Sequence, residues 1–247
     1  MTTKDQSKPA RVGKARGGGV GARASGTRKS RDPDSLAPQQ ERSRESLRKL
    51  MKATREVMGQ HGLDGATIPR IAAHAGLTPG AIYRRFSDKD ALVESVILDI
   101  LARQDKGLRS DLTQEMARQL SLPVFAAQLV HSLLASYRAH SGLFRAMRQF
   151  AQSKRGSPFH RKIARLEKRS YERLVDLLLA HVQDIHHPEP RTAVALGMMM
   201  VISTLQELVL DAPDSDCWTE LLPRNDEALR LELTRALLSY LGVERPE

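Results

Sequence analysis

The residues with the clearest chemical purpose lie between Thr67 and Lys89, above all in the run Thr67-Ile68-Pro69-Arg70-Ile71-Ala72-Ala73-His74-Ala75-Gly76-Leu77-Thr78-Pro79-Gly80-Ala81-Ile82-Tyr83-Arg84-Arg85-Phe86. Thr78 can N-cap a helix whose first position is Pro79, which leaves free backbone amides that suit a phosphate. Gly80 removes side-chain bulk where a nucleic-acid backbone must come close. Tyr83 lies about one turn further on and offers its hydroxyl to a phosphate. Arg70, Arg84 and Arg85 can reach phosphates or guanine edges in a major groove, and Lys89 adds another phosphate-seeking charge.

Two short helices, at about 68 to 74 and 79 to 85, must cross at a tight turn to bring these groups to one surface. Ala72 is small enough for close helix packing, and Gly76 can take the positive φ that ends the first helix. Ile71, Leu77, Ile82 and Phe86 supply a shared apolar seam. Pro69 falls in the first turn, where a missing N–H costs little. A preceding helix is marked by Leu47, Leu50, Met51, Val57 and Met58 at helical spacing until Gly62, and a longer helix follows from Ser87 to about Gly107.

Gly62, Ala66-Thr67, Ile71-Ala72, Ala75-Gly76-Leu77-Thr78, Gly80, Tyr83, Phe86, Ser87, Lys89 and Leu92 together resemble the signature of the tetracycline-repressor (TetR) family. The match spans about residues 44 to 96; Leu47, where an Arg is frequent, and Thr54, in place of a usual Ala, depart from it. The resemblance implies an all-α protein with an N-terminal three-helix helix-turn-helix domain and a C-terminal helical domain for ligand binding and dimerisation. It implies a homodimer on double-stranded DNA, with the second short helix of each subunit in the major groove of half of a roughly palindromic operator. Thr67, Thr78, Pro79, Gly80, Tyr83 and Lys89 then hold phosphates, and Arg70 and Arg84 are candidates for base contacts.

The chain has 247 residues and a formal net charge of +10, which favours a polyanionic partner. Nine Lys or Arg against three acids leave +6 within residues 1 to 40, a Gly-, Ser- and Pro-rich stretch read as a disordered basic arm. That arm either grips DNA without regard to sequence or merely solubilises. Residues 41–90 are expected to form the DNA-binding domain and 91–247 the effector-sensing and dimerisation domain. Helices are expected near 122 to 139, 142 to 154, 158 to 185, 190 to 211 and 225 to 241. The resemblance assigns the last two to an intersubunit four-helix bundle, and the apolar run from Ala193 to Leu205 suits burial on several sides.

Tyr137, Phe144, Met147, Phe150, Met198, Met199 and Ile202 are candidate walls of a cavity for an unidentified small-molecule effector, since thioethers and aromatic rings make adaptable apolar surfaces. Each is also a good core residue, and Met198 to Met200 cannot all face one pocket. His181, Asp184, His186 and His187 lack a compact metal-ligand set and read as a helix end. Gly21 to Ser30 lacks the Lys of a phosphate loop, because Thr27 follows Gly26. No catalytic residue, metal or cofactor is expected. One cysteine, Cys217, excludes an intramolecular disulfide framework and fits a cytoplasmic location. The longest apolar run, Ala193 to Ile202, is about half of the ~20 residues a membrane helix needs, so no membrane association is expected. A sequence-specific regulator, in most cases a repressor released by its effector, is the expected function; a DNA-binding architectural protein or an all-helical enzyme are the alternatives.

Overall fold

Leu50, Ala53, Val57 and Met58 recur every three or four residues, and all four are buried on one face of helix α1 (Pro33–Gly65). The structure is a computed structural model that describes residues 33–110, 114–211, 221–223 and 225–243. Most of the basic arm, the stretch from Gly21 to Ser30, and Cys217 lie outside the described residues. The chain divides into a unit of residues 1–42 and a unit of residues 43–247. In the first, α1 begins at Pro33, within the segment expected to be a disordered arm. A proline suits the first helical position, although Pro38 further on does not favour the helix.

All regular structure among the described residues is helical. The helical backbone of α1 breaks at Gly62, whose φ is 68°. Helix α2 (Ile68–Ala75) and helix α3 (Pro79–Tyr83) follow, then the long α4 (Lys89–Ser110). A short α5 (Gln114–Arg118), for which the sequence pattern gave no expectation, precedes α6 (Leu122–Ala139), α7 (Ser141–Ser153) and α8 (Pro158–Leu178). The expected helix over 158 to 185 loosens into a 3₁₀ segment, Leu179–Asp184. Helix α9 (Pro190–Leu205) likewise widens into a π-helical segment, Gln206–Asp211, and α10 (Asp226–Tyr240) is the last element.

Two apolar cores stabilise residues 43–247. One joins α1 to α4 with Ala146 and Phe150 of α7 and Phe159 and Ile163 of α8. The other unites α6, α8, α9 and α10 around Leu122, Leu178, Leu205 and Leu237. The helical stretch Pro190–Leu210 is long and apolar enough to cross a membrane by composition, longer than the apolar run read from the sequence because the helix continues into its π-helical end. Half of it is buried against the protein's own helices, as in a core helix.

Helix α7 touches α1 backbone to backbone. A Cβ on Gly142 would lie 2.1 Å from the carbonyl oxygen of Gly59 in α1, so only glycine allows the two backbones to touch. Gly142→Ala is therefore expected to cost about 1–3 kcal/mol by overpacking, read as a lower midpoint in chemical denaturation. An unchanged midpoint would show that the α1–α7 contact gives way freely.

Candidate functional site

The helix-turn-helix is built by local hydrogen bonds. Thr67 Oγ1 accepts from the Arg70 amide at 3.4 Å, and Thr78 Oγ1 accepts from the Ala81 amide at 3.3 Å, so both threonines cap their helices. Gly76 takes the left-handed conformation (φ 64°), and Leu77 N donates to Ala72 O at 2.9 Å to close the turn. Ile71 and Ile82 are fully buried beneath the crossing, as their spacing predicts. His74 Nε2 lies 2.9 Å from Glu56 Oε2 and ties α2 to α1.

What remains outside is the surface anticipated for DNA. Thr67, Arg70, Thr78, Pro79, Gly80, Tyr83 and Arg84 are all exposed, with Tyr83 at 56%. Nothing stands within 4 Å of where a Gly80 Cβ would be, which leaves room for an approaching backbone. The cations divide into two sets. Lys89 is half-buried and donates from Nζ to Leu63 O at 2.7 Å, and Arg70 Nη1 donates to Gly65 O at 2.7 Å. Both therefore cap the end of α1, and each keeps further N–H donors for another partner. Arg85 Nη2 donates to Ser43 Oγ at 3.0 Å. Arg84 makes no side-chain hydrogen bond or ion pair among the described residues, which makes it the cation most available to an incoming ligand.

A second feature is a cavity of about 720 Å³ enclosed mainly by α4, α6, α7 and α8, with Gln206 and Leu210 of the π-helical segment at one side. Tyr137, Phe144, Met147 and Ile202 line it. The other three residues expected in its wall lie elsewhere. Phe150 is in the core, edge-on to Phe159 with ring centroids 5.5 Å apart; Met198 is buried among α9 neighbours; Met199 is 57% exposed. Helical geometry explains the split, because Phe144, Met147 and Ala151 occupy one face of α7 while Ala146 and Phe150 occupy the other.

Sequence reasoning missed the polar part of this wall. Arg148, Arg155, His160, Glu167 and Tyr171 line the cavity, and the α8 members recur at helical spacing within a segment whose charges suggest a solvated surface. Gln206 Nε2 donates to the Tyr137 hydroxyl at 3.3 Å. Desolvation raises the pKa of the Tyr137 phenol, and the Gln206 hydrogen bond opposes it. Tyr171 keeps 44% of its surface accessible as part of the cavity wall, yet the surrounding helices desolvate its phenol and, with the Glu167 charge, push its pKa up to about 12. Desolvation likewise raises the Glu167 carboxyl above its ordinary range, with His160 opposing. A carboxyl whose pKa rises on folding stabilises the fold while protonated, and that contribution is lost as pH climbs through the folded-state value. Deprotonating Glu167 is thus a cost to the fold.

His181 is buried beside Phe125, at a ring separation of 5.9 Å, while His186 Nδ1 lies 3.1 Å from Gly242 O and His187 Nδ1 accepts from Glu189 N at 3.1 Å. The helix-end roles expected for these imidazoles hold for His186 and His187; His181 instead packs into the core.

Residues 50–96 match the family model described as bacterial regulatory proteins, tetR family. The chain is similar to the HTH-type transcriptional regulator BetI of Cronobacter sakazakii, with 29% identity over 158 residues, covering 64% of this chain and 76% of that protein. Its fold is similar to a TetR-family transcriptional regulator from Mesorhizobium loti, with TM-score 0.65 at 18% identity, covering 81% of this chain and 97% of that one. It is also similar to the transcriptional regulator FadR from Bacillus subtilis in complex with stearoyl-CoA, with TM-score 0.57 at 15% identity, covering 80% of this chain and 98% of that one. With a matching DNA-reading segment at residues 50–96, a similar regulator over most of its length and a similar helical fold, the findings support a TetR-family transcriptional regulator.

Proposed function

We propose that the protein is a homodimeric repressor, working in the cytoplasm, that leaves a roughly palindromic operator when a small molecule occupies the cavity. The observation that carries this reading is the double role of α7. Phe144, Met147 and Arg148 on one face line the cavity. On the other, Gly142 touches Gly59 and Gln149 Nε2 reaches Asp64 Oδ2 at 3.4 Å; just past the end of the helix, Lys154 Nζ bonds Asp90 Oδ2 at 2.7 Å. Helix α4 adds a parallel connection, since Leu92, Val93 and Val96 belong to the reading-head core while Leu101 and Gln104 line the cavity. An effector that binds one arrangement of α4 and α7 better than another shifts the spacing of the two reading heads. Half-sites one helical turn apart require about 34–36 Å, and DNA release follows by linkage.

Dimerisation is assigned to α9 and α10. Leu196, Met199, Met200 and Leu231 leave 37–57% of their surfaces exposed, and the three on α9 form a stripe at helical spacing. An apolar face of this kind on the last helices suits a two-fold, self-complementary contact. Met199→Glu combined with Leu231→Glu is expected to yield monomers in sedimentation equilibrium with helix content retained. A dimer that survives both changes would put the interface elsewhere.

The direct test of regulation is selection of bound fragments from a genomic DNA library by the full chain. Recovery of a roughly palindromic site supports the reading; binding without sequence preference moves it to an architectural protein. On a recovered site, Tyr83→Phe should weaken all sequences alike by about 3–10-fold, the worth of one hydrogen bond. Arg84→Ala should instead cost about 1–3 kcal/mol at particular base pairs and relax preference there. Equal losses on every sequence for both variants would assign Arg84 to phosphate.

A further inference from the structure

The cavity wall carries a carboxyl group that the fold gives no hydrogen-bonded partner among the described residues, with only the charge of His160 on the same wall opposing its desolvation. Glu167 lines the cavity from α8 and is half-buried, and no hydrogen bond or ion pair among the described residues reaches its carboxylate. Charges taken out of water are ordinarily paired, because desolvation is otherwise unrelieved. The arginines nearby are differently placed. Arg148 already interacts within the chain, and Arg155 is exposed to solvent.

The surroundings of Glu167 are aromatic. Tyr171 stands one helical turn along α8, and both its phenol and that of Tyr137 feel the Glu167 charge. The Tyr137 ring packs against Phe144 with centroids 5.2 Å apart. Aromatic faces are electron-rich and attract cations, so the three rings and the carboxylate favour the same sign of ligand charge. Leu129, Leu133, Met147 and Leu174 supply an apolar wall around this polar spot. A volume of about 720 Å³ lies within the range of sites for drug-sized molecules.

We propose that the cavity takes a lipophilic organic cation, its charge held by Glu167 and the rings of Tyr137, Phe144 and Tyr171 and its apolar body lying along the leucines. The assignment rests on the cavity being the effector site of the proposed repressor. It makes the desolvated carboxylate a recognition group, one that the bound cation relieves. An anionic ligand would meet Glu167 as a repulsive neighbour.

The test uses two ions of nearly the same shape and opposite charge, tetraphenylphosphonium and tetraphenylborate, titrated into the full chain by calorimetry. The cation is expected to bind about tenfold or more tightly than the anion. Glu167→Gln should remove about tenfold of the cation's affinity, while Glu167→Asp, which keeps the charge, should retain the preference. The Gln variant should melt at or above the parent at pH 7, because it removes the desolvated charge; the comparison of the two ions on the parent chain needs no variant to fold. Equal affinities, a tighter anion, no binding of either ion, or a Gln variant that binds the cation as well as the parent would each overturn the proposal. Release of a selected operator by a neutral or anionic molecule would overturn it as well, yet would uphold effector sensing. Failure to recover any operator would strike the regulatory reading and leave the charge preference of the cavity standing on its own result.

Discussion

The contact of Gly142 with Gly59 sets how the rest of residues 43–247 can work. Backbone against backbone, with no side chain between, is the shortest separation two helices allow, and a Cβ on Gly142 would collide with the Gly59 carbonyl oxygen. Because α7 touches α1 directly, its cavity-facing residues lie only one helix diameter from the reading head. Close-packed contacts transmit strain, and the proposed coupling from α7 to α1 would run through this one. Arg145 Nε bonding Leu210 O at 2.7 Å fastens α7 to the π-helical segment on the cavity side as well. The helix is thus held from both directions.

The end of α1 shows that two cations proposed for DNA also hold the fold. After the break at Gly62 the Leu63 and Gly65 carbonyls accept turn bonds from Ala66 N and Thr67 N, and Lys89 and Arg70 donate to them as well. These side chains set α4 and α2 against the end of α1 before any DNA arrives. A phosphate that drew Lys89 away would have to replace that bond, whereas Tyr83 and Arg84 can engage without loss. The head is therefore preorganised by the cations nearest its core, and its outer face keeps the adaptable ones.

Legibility in the sequence followed the range of the interactions involved. Thr67 and Thr78 as caps, Gly76 as the turn, and the Ile71 and Ile82 seam are local effects that act within a few residues, and the structure has them as read. Most helix boundaries fell within two or three residues for the same reason; the 3₁₀ and π-helical ends of α8 and α9 did not, since tertiary packing decides them. The cavity was legible only in part. Phe150 and Met198 have the same chemistry as Phe144 and Met147, and only their position around the helix, relative to neighbours far along the chain, sends them to the core. Glu167 was hidden more deeply, in an α8 segment whose many charges look solvated until α4, α6 and α7 close over one face. The Gly59–Gly142 contact joins residues too far apart in sequence for any local pattern to reveal.

A partly open cavity of this size also has an energetic logic. Apolar side chains that face it pack less fully than core residues, and desolvation disfavours the charged form of Glu167 on its wall, so the unliganded arrangement gives up stability it could have had. Two ionic links hold α4 in register with the walls, Lys154 to Asp90 from the end of α7 and Arg173 to Asp105 from α8 at 3.5 Å. The Arg173–Asp105 pair is partly buried, so a slipped helix would strand its charges, whereas the exposed Lys154–Asp90 pair adds little. Occupancy then acts on a frame already restricted to few arrangements. A ligand that fills the void restores the missing contacts and, by mass action, stabilises whichever arrangement of α4 and α7 encloses it best. The same free energy that repairs the core is thereby available to move the reading head, and the coupling needs no further device than the two helices that serve both.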